Sequence, residues 1–184
     1  MMRPSRNTKL ALELDPISCM YVGFFGMILH RARRYEESIE QCQAALDLNP
    51  NYPNALWFLA LSLEQVGRFE EATAKLEKAV SIAPAPHFRA LLARAYALAG
   101  ERLKAECILE ELKGLSQQVY VSPSDIAVIH SGLGDLNSSF EWLEKAHQER
   151  VFRIVELTLP MFDNLRSDPR WQDIVRRIGL PADL

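Results

Sequence analysis

The chain has 184 residues, 48% of them hydrophobic and 24% charged, a balance that fits a folded globular protein about one domain long and excludes a disordered one. Its formal net charge of -3 sets up no general attraction for nucleic acid, so none is expected as a partner and the arginines are read locally. The three cysteines, Cys19, Cys42 and Cys107, show neither CxxC spacing nor a histidine at ligand spacing; they read as buried thiols in a reducing compartment, with no metal and no cofactor expected.

Taken in chain order, MMRPSRNTKLALELDP carries basic residues but returns to charge at Glu13 and Asp15 before any long apolar stretch, which is not the order of a signal peptide. ISCMYVGFFGMIL, Ile17 to Leu29, is the longest apolar run, and its thirteen residues fall short of the roughly 20 that span a bilayer as a helix. The charges of His30 to Arg34 follow at once. A helix over 19–31 is expected, with no membrane partner and a cytoplasmic location. Apolar residues at helical spacing then predict helices over 35–48, 53–65, 69–82, 86–99, 102–113, 123–132 and 136–148. Pro53 and Pro86 suit a first helical turn, where the missing N–H costs nothing, and Ser122 with Asp125 resembles a capping box. Beyond Arg150, Asp168 and Pro169 start a last helix. Trp171, Ile174, Val175 and Ile178 form its stripe, and Gly179 with Leu180 and Pro181 stops it.

These helices pair. Gly67, Phe69, Ala72, Leu76 and Ala79 have counterparts earlier in the chain at Arg33, Tyr35, Ser38, Cys42 and Ala45. The same set returns later as Gly100, Arg102, Ala105, Leu109 and Leu112, one position early, and once more as Gly134, Leu136, Ser139, Leu143 and Ala146. A period near 34 means a repeat architecture, each unit a helical hairpin. Small residues at Gly26, Ala60, Ala93 and Ala127 face Ser38, Ala72, Ala105 and Ser139, where two backbones come close. KLALELDP, Lys9 to Pro16, matches the end of CQAALDLNP, with Ala11 lying one period before Ala45 and Pro16 one period before Pro50. The expected organisation is a half-repeat helix over 1–16, hairpins over 17–50, 51–84, 85–117 and 118–150, and a C-terminal extension with a capping helix over 151–184. Met20, Val22, Phe24 and Phe25 leave the N-terminal end apolar, which self-association would cover.

Ile17 to Arg150 resembles the tetratricopeptide repeat, with Arg33 standing where glycine is usual, Arg102 where an aromatic is usual and Leu112 where the other copies have alanine. YVSPSDIAVIHSGLGDLNSSFEWLEKAHQER with LRSDPRWQDIVRRIGLP is similar to the C-terminal end of repeat regions in bacterial multidomain regulators. The resemblance implies an all-α, right-handed superhelical solenoid and a protein-interaction scaffold. One peptide-binding version of the family grips a carboxylate with lysine, asparagine and arginine; the corresponding Gly23, Met27, Phe58, His87 and Leu91 lack that clamp.

For chemistry the chain offers no GxSxG, HExxH, phosphate loop or GxGxxG, and its histidines, His30, His87, His130 and His147, are spread over different hairpins. His130 occupies the slot of Tyr96 and Leu63 and reads as a packing residue. Glu36, Glu37, Glu70 and Glu71 open second helices, where they complement the helix dipole. HRARRY reads as a solvated loop. No enzyme is expected. What remains is a surface: the first helices line the concave side of stacked hairpins and would present Met20, Met27, His30, Asn54, Trp57, Leu61, Glu64 and Arg94 to a protein or peptide partner or to a second copy of the chain. Trp57 is either an exposed anchor or core packed against the preceding hairpin. The alternative function is a small-molecule-binding or hydrolytic protein using the same groove and His30.

Overall fold

A computed structural model describes residues 18–151 and 156–180. The half-repeat expected over 1–16 lies outside the described residues, as do 152–155 of the C-terminal extension. Among the described residues every regular element is helical. The chain divides into two compact units, Met1–Pro84 and Ala85–Leu184.

The first unit holds α1 (Ser18–Arg31), α2 (Tyr35–Leu48), α3 (Pro53–Gln65) and α4 (Phe69–Ile82). Successive helices pack as hairpins, α1 on α2 and α3 on α4, and α3 also lies against both α1 and α2. The small residues sit where the backbones meet. Ser38 is fully buried and its hydroxyl donates to the Gly26 carbonyl at 2.7 Å, while Ala60 and Ala72 are fully buried in the next hairpin. A Cβ added at Gly26 would collide with the Cys42 Sγ and stand 3.4 Å from the Cys42 nitrogen.

The second unit holds α5 (Pro86–Leu98), α6 (Arg102–Leu115), α7 (Pro123–Leu133), α8 (Leu136–Gln148), a 3-10 helix (Pro160–Leu165) and α9 (Pro169–Ile178). Here α5 packs on α6 and α7, and α7 on α8. Ser139 repeats the crossing bond, donating to the Ala127 carbonyl at 3.0 Å, twelve positions apart as Ser38 and Gly26 are. The expected last helix is α9, whose Trp171, Ile174 and Val175 are at most 2% exposed. Arg177 grips both Glu144 oxygens of α8 at 2.7 and 2.5 Å.

Helix starts and turns follow local chemistry. Proline occupies the first turn of α3, α5, α7 and α9, where no N–H is missed. Each hairpin turn needs one left-handed residue. Glycine takes it at Gly67, Gly100 and Gly134 with φ of 77, 83 and 76°, and Arg33 takes it at φ 60° despite its side chain. The expected helix over 102–113 runs on through Gly114 to Leu115. Ser122 caps α7 by accepting the Ser124 N–H at 3.3 Å. The 3-10 helix has no counterpart among the expected elements: Pro160 sets its first turn, and its apolar residues follow no repeat register.

Candidate functional site

The expected interaction residues separate by burial. In the first unit Met20 is 42% exposed, Asn54 is exposed, and Met27 and Trp57 are half-buried. Trp57 stacks on the neighbouring Phe58 ring at 4.5 Å and 18°, so part of its indole is packed and part remains at the surface. Met20 and Asn54 occupy equivalent repeat positions, one period apart, and α1 lies against α3 through Gly23, whose added Cβ would meet Tyr52 at 2.9 Å and Ala55 at 3.7 Å. The absence of a side chain at Gly23 lets the two first helices approach.

His30, Leu61 and Glu64 do not join that surface. Leu61 is fully buried and Glu64 is 5% exposed. His30 is fully buried too, because a buried hydroxyl draws its ring inward: Nδ1 lies 3.0 Å from the Ser62 Oγ. Ser62 in turn lies 2.8 Å from the Ser38 hydroxyl, which donates to the Gly26 carbonyl. Each hydroxyl has one proton, so with Ser38 committed to Gly26, Ser62 donates to Ser38 and accepts from His30 Nδ1–H. The chain of bonds ties α1, α2 and α3 together and fixes the imidazole tautomer. Sequence reasoning does not find this network, although serine at 38 and 62 beside a histidine, all on apolar helix faces, is a visible signal. A hydrolytic role for His30 loses its basis, since the ring reaches no solvent.

Arg94 is 6% exposed, and its guanidinium Nη2 donates to the Met161 carbonyl at 3.3 Å. The same carbonyl accepts from the Ser131 Oγ at 3.2 Å. The same hydroxyl proton is shared with the Asn164 Oδ1 at 3.0 Å, a bifurcated bond, and the Asn164 side-chain amide donates to the Ser131 carbonyl at 3.0 Å. Gly132 makes room: a Cβ there would stand 3.1 Å from the Arg94 Cα. In the second unit the first-helix residues Arg94 and Ser131 therefore hold the chain's own Pro160–Leu165, with Met161, Phe162 and Leu165 at most 2% exposed.

Several exposed ionisable groups form structural pairs. Arg34 clasps both oxygens of Glu37, and Arg68 repeats the clasp on Glu71 one period later; the hydrogen bonds hold both arginines above and both glutamates below their ordinary values. Burial pushes the Cys42 thiol up to about 12, and burial also lowers His130, against the opposing pull of Asp135 3.3 Å away. Cys19 and Cys42 are buried as expected, but Cys107 is exposed, because its helix face carries Glu106, Glu110 and Glu111. Among the described residues no group of three or more histidine, cysteine, aspartate or glutamate side chains could hold a metal ion, and no helix is long and apolar enough to cross a membrane.

Comparison with known proteins agrees with this architecture. A crystal structure of a tetratricopeptide repeat protein from Parabacteroides merdae is similar, with a TM-score of 0.52 and 14% identity over 94% of this chain, which spans 64% of that protein's length. MamA of AMB-1 is also similar, with a TM-score of 0.48 and 15% identity over 90% of this chain and 92% of that one. No curated protein matches the sequence. The first of these likenesses speaks for fold alone. A family model described as tetratricopeptide repeat matches residues 29–95, the stretch that holds the turn at Arg33, the α3–α4 hairpin and most of α5. The period near 34, the small crossing residues and the left-handed hairpin turns agree with that match, which places tetratricopeptide repeat sequence in residues 29–95.

Proposed function

We propose that the chain is a protein–protein interaction scaffold whose first-helix face in residues 18–84 takes a short apolar segment of a partner protein. The observation behind this reading is in the other unit. There the first helices hold Pro160–Leu165 by side-chain bonds from Arg94 and Ser131 to one backbone carbonyl and by burial of Met161, Phe162 and Leu165. Bonds to backbone with apolar side chains inserted alongside are how a repeat surface reads a peptide. In residues 18–84 Met27 is the repeat equivalent of Arg94, and Met20, Asn54 and Trp57 lie on the same two first helices: two adaptable thioethers, an amide able to bond a backbone, and a half-buried aromatic. A family-level role as an interaction scaffold accords with the repeat fold.

The test uses a defined probe, a synthetic peptide LTLPMFDNL copied from residues 157–165. Titrated calorimetrically into the full chain, it should bind saturably, and Trp57→Ala with unchanged helicity should weaken it at least about tenfold, the cost of one hot-spot aromatic. Equal affinity of the two proteins, or no saturable heat, would remove the reading. Light scattering across a hundredfold range of protein concentration, on the wild type and Trp57→Ala, separates a foreign partner from a second copy, which would raise the wild-type mass alone.

A further inference from the structure

A cavity of about 280 Å3 lies in the second unit, where the end of α6, the start of α7 and the end of α8 come together. The repeat register accounts for the space. Pro53 and Pro86 open α3 and α5 six positions before Leu59 and Leu92, whereas Pro123 opens α7 only three positions before their counterpart Ile126. The fourth copy thus lacks the first turn of its first helix. The residues in its place, Tyr120 to Ser122, belong to the link 116–122, and Tyr120 stands 67% exposed where its counterparts Pro53 and Pro86 are half-buried. In an antiparallel hairpin the start of α7 lies beside the end of α8. The missing turn therefore leaves Trp142 and Lys145 lining a gap.

The gap has an apolar floor and a positive rim. Val121 and Ile126, both buried, form the floor with Pro123. Lys113 reaches the rim from α6 and Lys145 from α8, and against these two cations the lining carries one carboxylate, Glu149. The Lys145 ammonium sits 4.7 Å from the centre of the Trp142 ring, whose face holds it by cation–π attraction while its N–H groups stay available. Lys145 has no carboxylate partner among the described residues. Lys113 pairs with Glu110 at 2.9 Å, but Glu110 is 71% exposed and such a surface pair is worth little. Neither ammonium bonds a carbonyl at its own helix end among the described residues, so the lysines do more than complement the helix dipoles. The volume is close to the lower limit of about 300 Å3 for small-molecule pockets, which calls for a small ligand.

We propose that this cavity binds a small carboxylate with an apolar body, the hydrocarbon part resting on Val121, Pro123 and Ile126 and the carboxylate meeting Lys145 and Lys113. The site lies in the other unit from the first-helix face of residues 18–84 and takes a different class of ligand.

The probe is naphthalene-2-carboxylate, titrated into the full chain and followed by ligand-observed NMR, with the neutral naphthalene-2-carboxamide as its uncharged match. The carboxylate should bind saturably and the amide at least about tenfold more weakly, as the loss of one charge-assisted bond implies. Lys145→Gln should weaken the carboxylate by a similar factor, while Lys78→Gln, an exposed lysine of α4, should leave it unchanged. Absence of saturable binding overturns the proposal, as does equal affinity for acid and amide or wild-type affinity in Lys145→Gln. A loss in Trp57→Ala, at unchanged helicity, as large as that in Lys145→Gln also overturns it, because the probe then occupies the first-helix face.

Discussion

Substituting Gly26 tests the closest helix approach in the first hairpin. Alanine there would add a Cβ that collides with the Cys42 Sγ and presses within 3.5 Å of the Ser38 carbonyl. Overpacking of this kind costs about 1–3 kcal/mol, while replacing glycine inside a helix gains back about 1 kcal/mol of propensity. Gly26→Ala alone should therefore lose about 1 kcal/mol. Cys42→Ala alone withdraws a fully buried sulfur and should lose about 1–2 kcal/mol. Together they are complementary: the new methyl enters the volume the sulfur leaves, the collision disappears, and the propensity gain remains. The double variant should sit within about 1 kcal/mol of the wild type, a coupling of about 2 kcal/mol between residues in contact. Urea unfolding followed by circular dichroism measures all four corners of the cycle. Losses that simply add, within about 0.5 kcal/mol, would refute the assigned contact.

Arg33 is the one hairpin turn among the four that lacks glycine, and at φ 60° it carries a left-handed cost of about 1–2 kcal/mol. Arg33→Gly, after the larger unfolded-state entropy of glycine, should raise stability by about 0.5–1 kcal/mol; a lower urea midpoint would contradict this. His130 sits below its ordinary value in the fold because burial disfavours its charged form, so the unfolded chain binds the extra proton first. Its contribution is complete above the unfolded value of about 6.5 and is lost as pH falls below it, and His130→Gln should flatten that part of the stability curve. Asp135 is lowered by its Ser138 hydrogen bonds and acts in a separate, more acidic window, below the usual aspartate value. Thiol labelling of the native chain near neutral pH should be fast at Cys107 alone, since Cys19 and Cys42 are buried and Cys42 is pushed up to about 12; rapid modification of Cys42 would disprove its burial.

The helices of the four hairpins are legible because every copy restates the same constraint. A small residue at 26, 60, 93 or 127 has meaning only beside its partner twelve positions on, and the hydroxyl bonds of Ser38 and Ser139 realise that pairing in the outer copies. The face of the candidate site is legible for the same reason, but its accessibility is not. Repeat register places Arg94 on a first helix, yet what covers it is Pro160–Leu165, a segment outside the period with no counterpart in other copies. His30 likewise lies in register, and its inward turn depends on Ser62, 32 positions away, a pairing that no local pattern encodes.

The segment that fills the first-helix face of the second unit is joined to that unit by the chain itself, and this changes what a partner must achieve there. A tethered occupant competes at an effective concentration on the order of mM, whatever the protein's own concentration. A free peptide of equal intrinsic affinity, present at ~1 μM, would displace it in about one molecule in a thousand. To share the face evenly it needs about 4 kcal/mol more binding free energy than Met161 and its neighbours supply. A ligand directed at that face would have to outcompete the bonds that Arg94 and Ser131 make to the Met161 carbonyl, so only a strong one would displace the tethered segment.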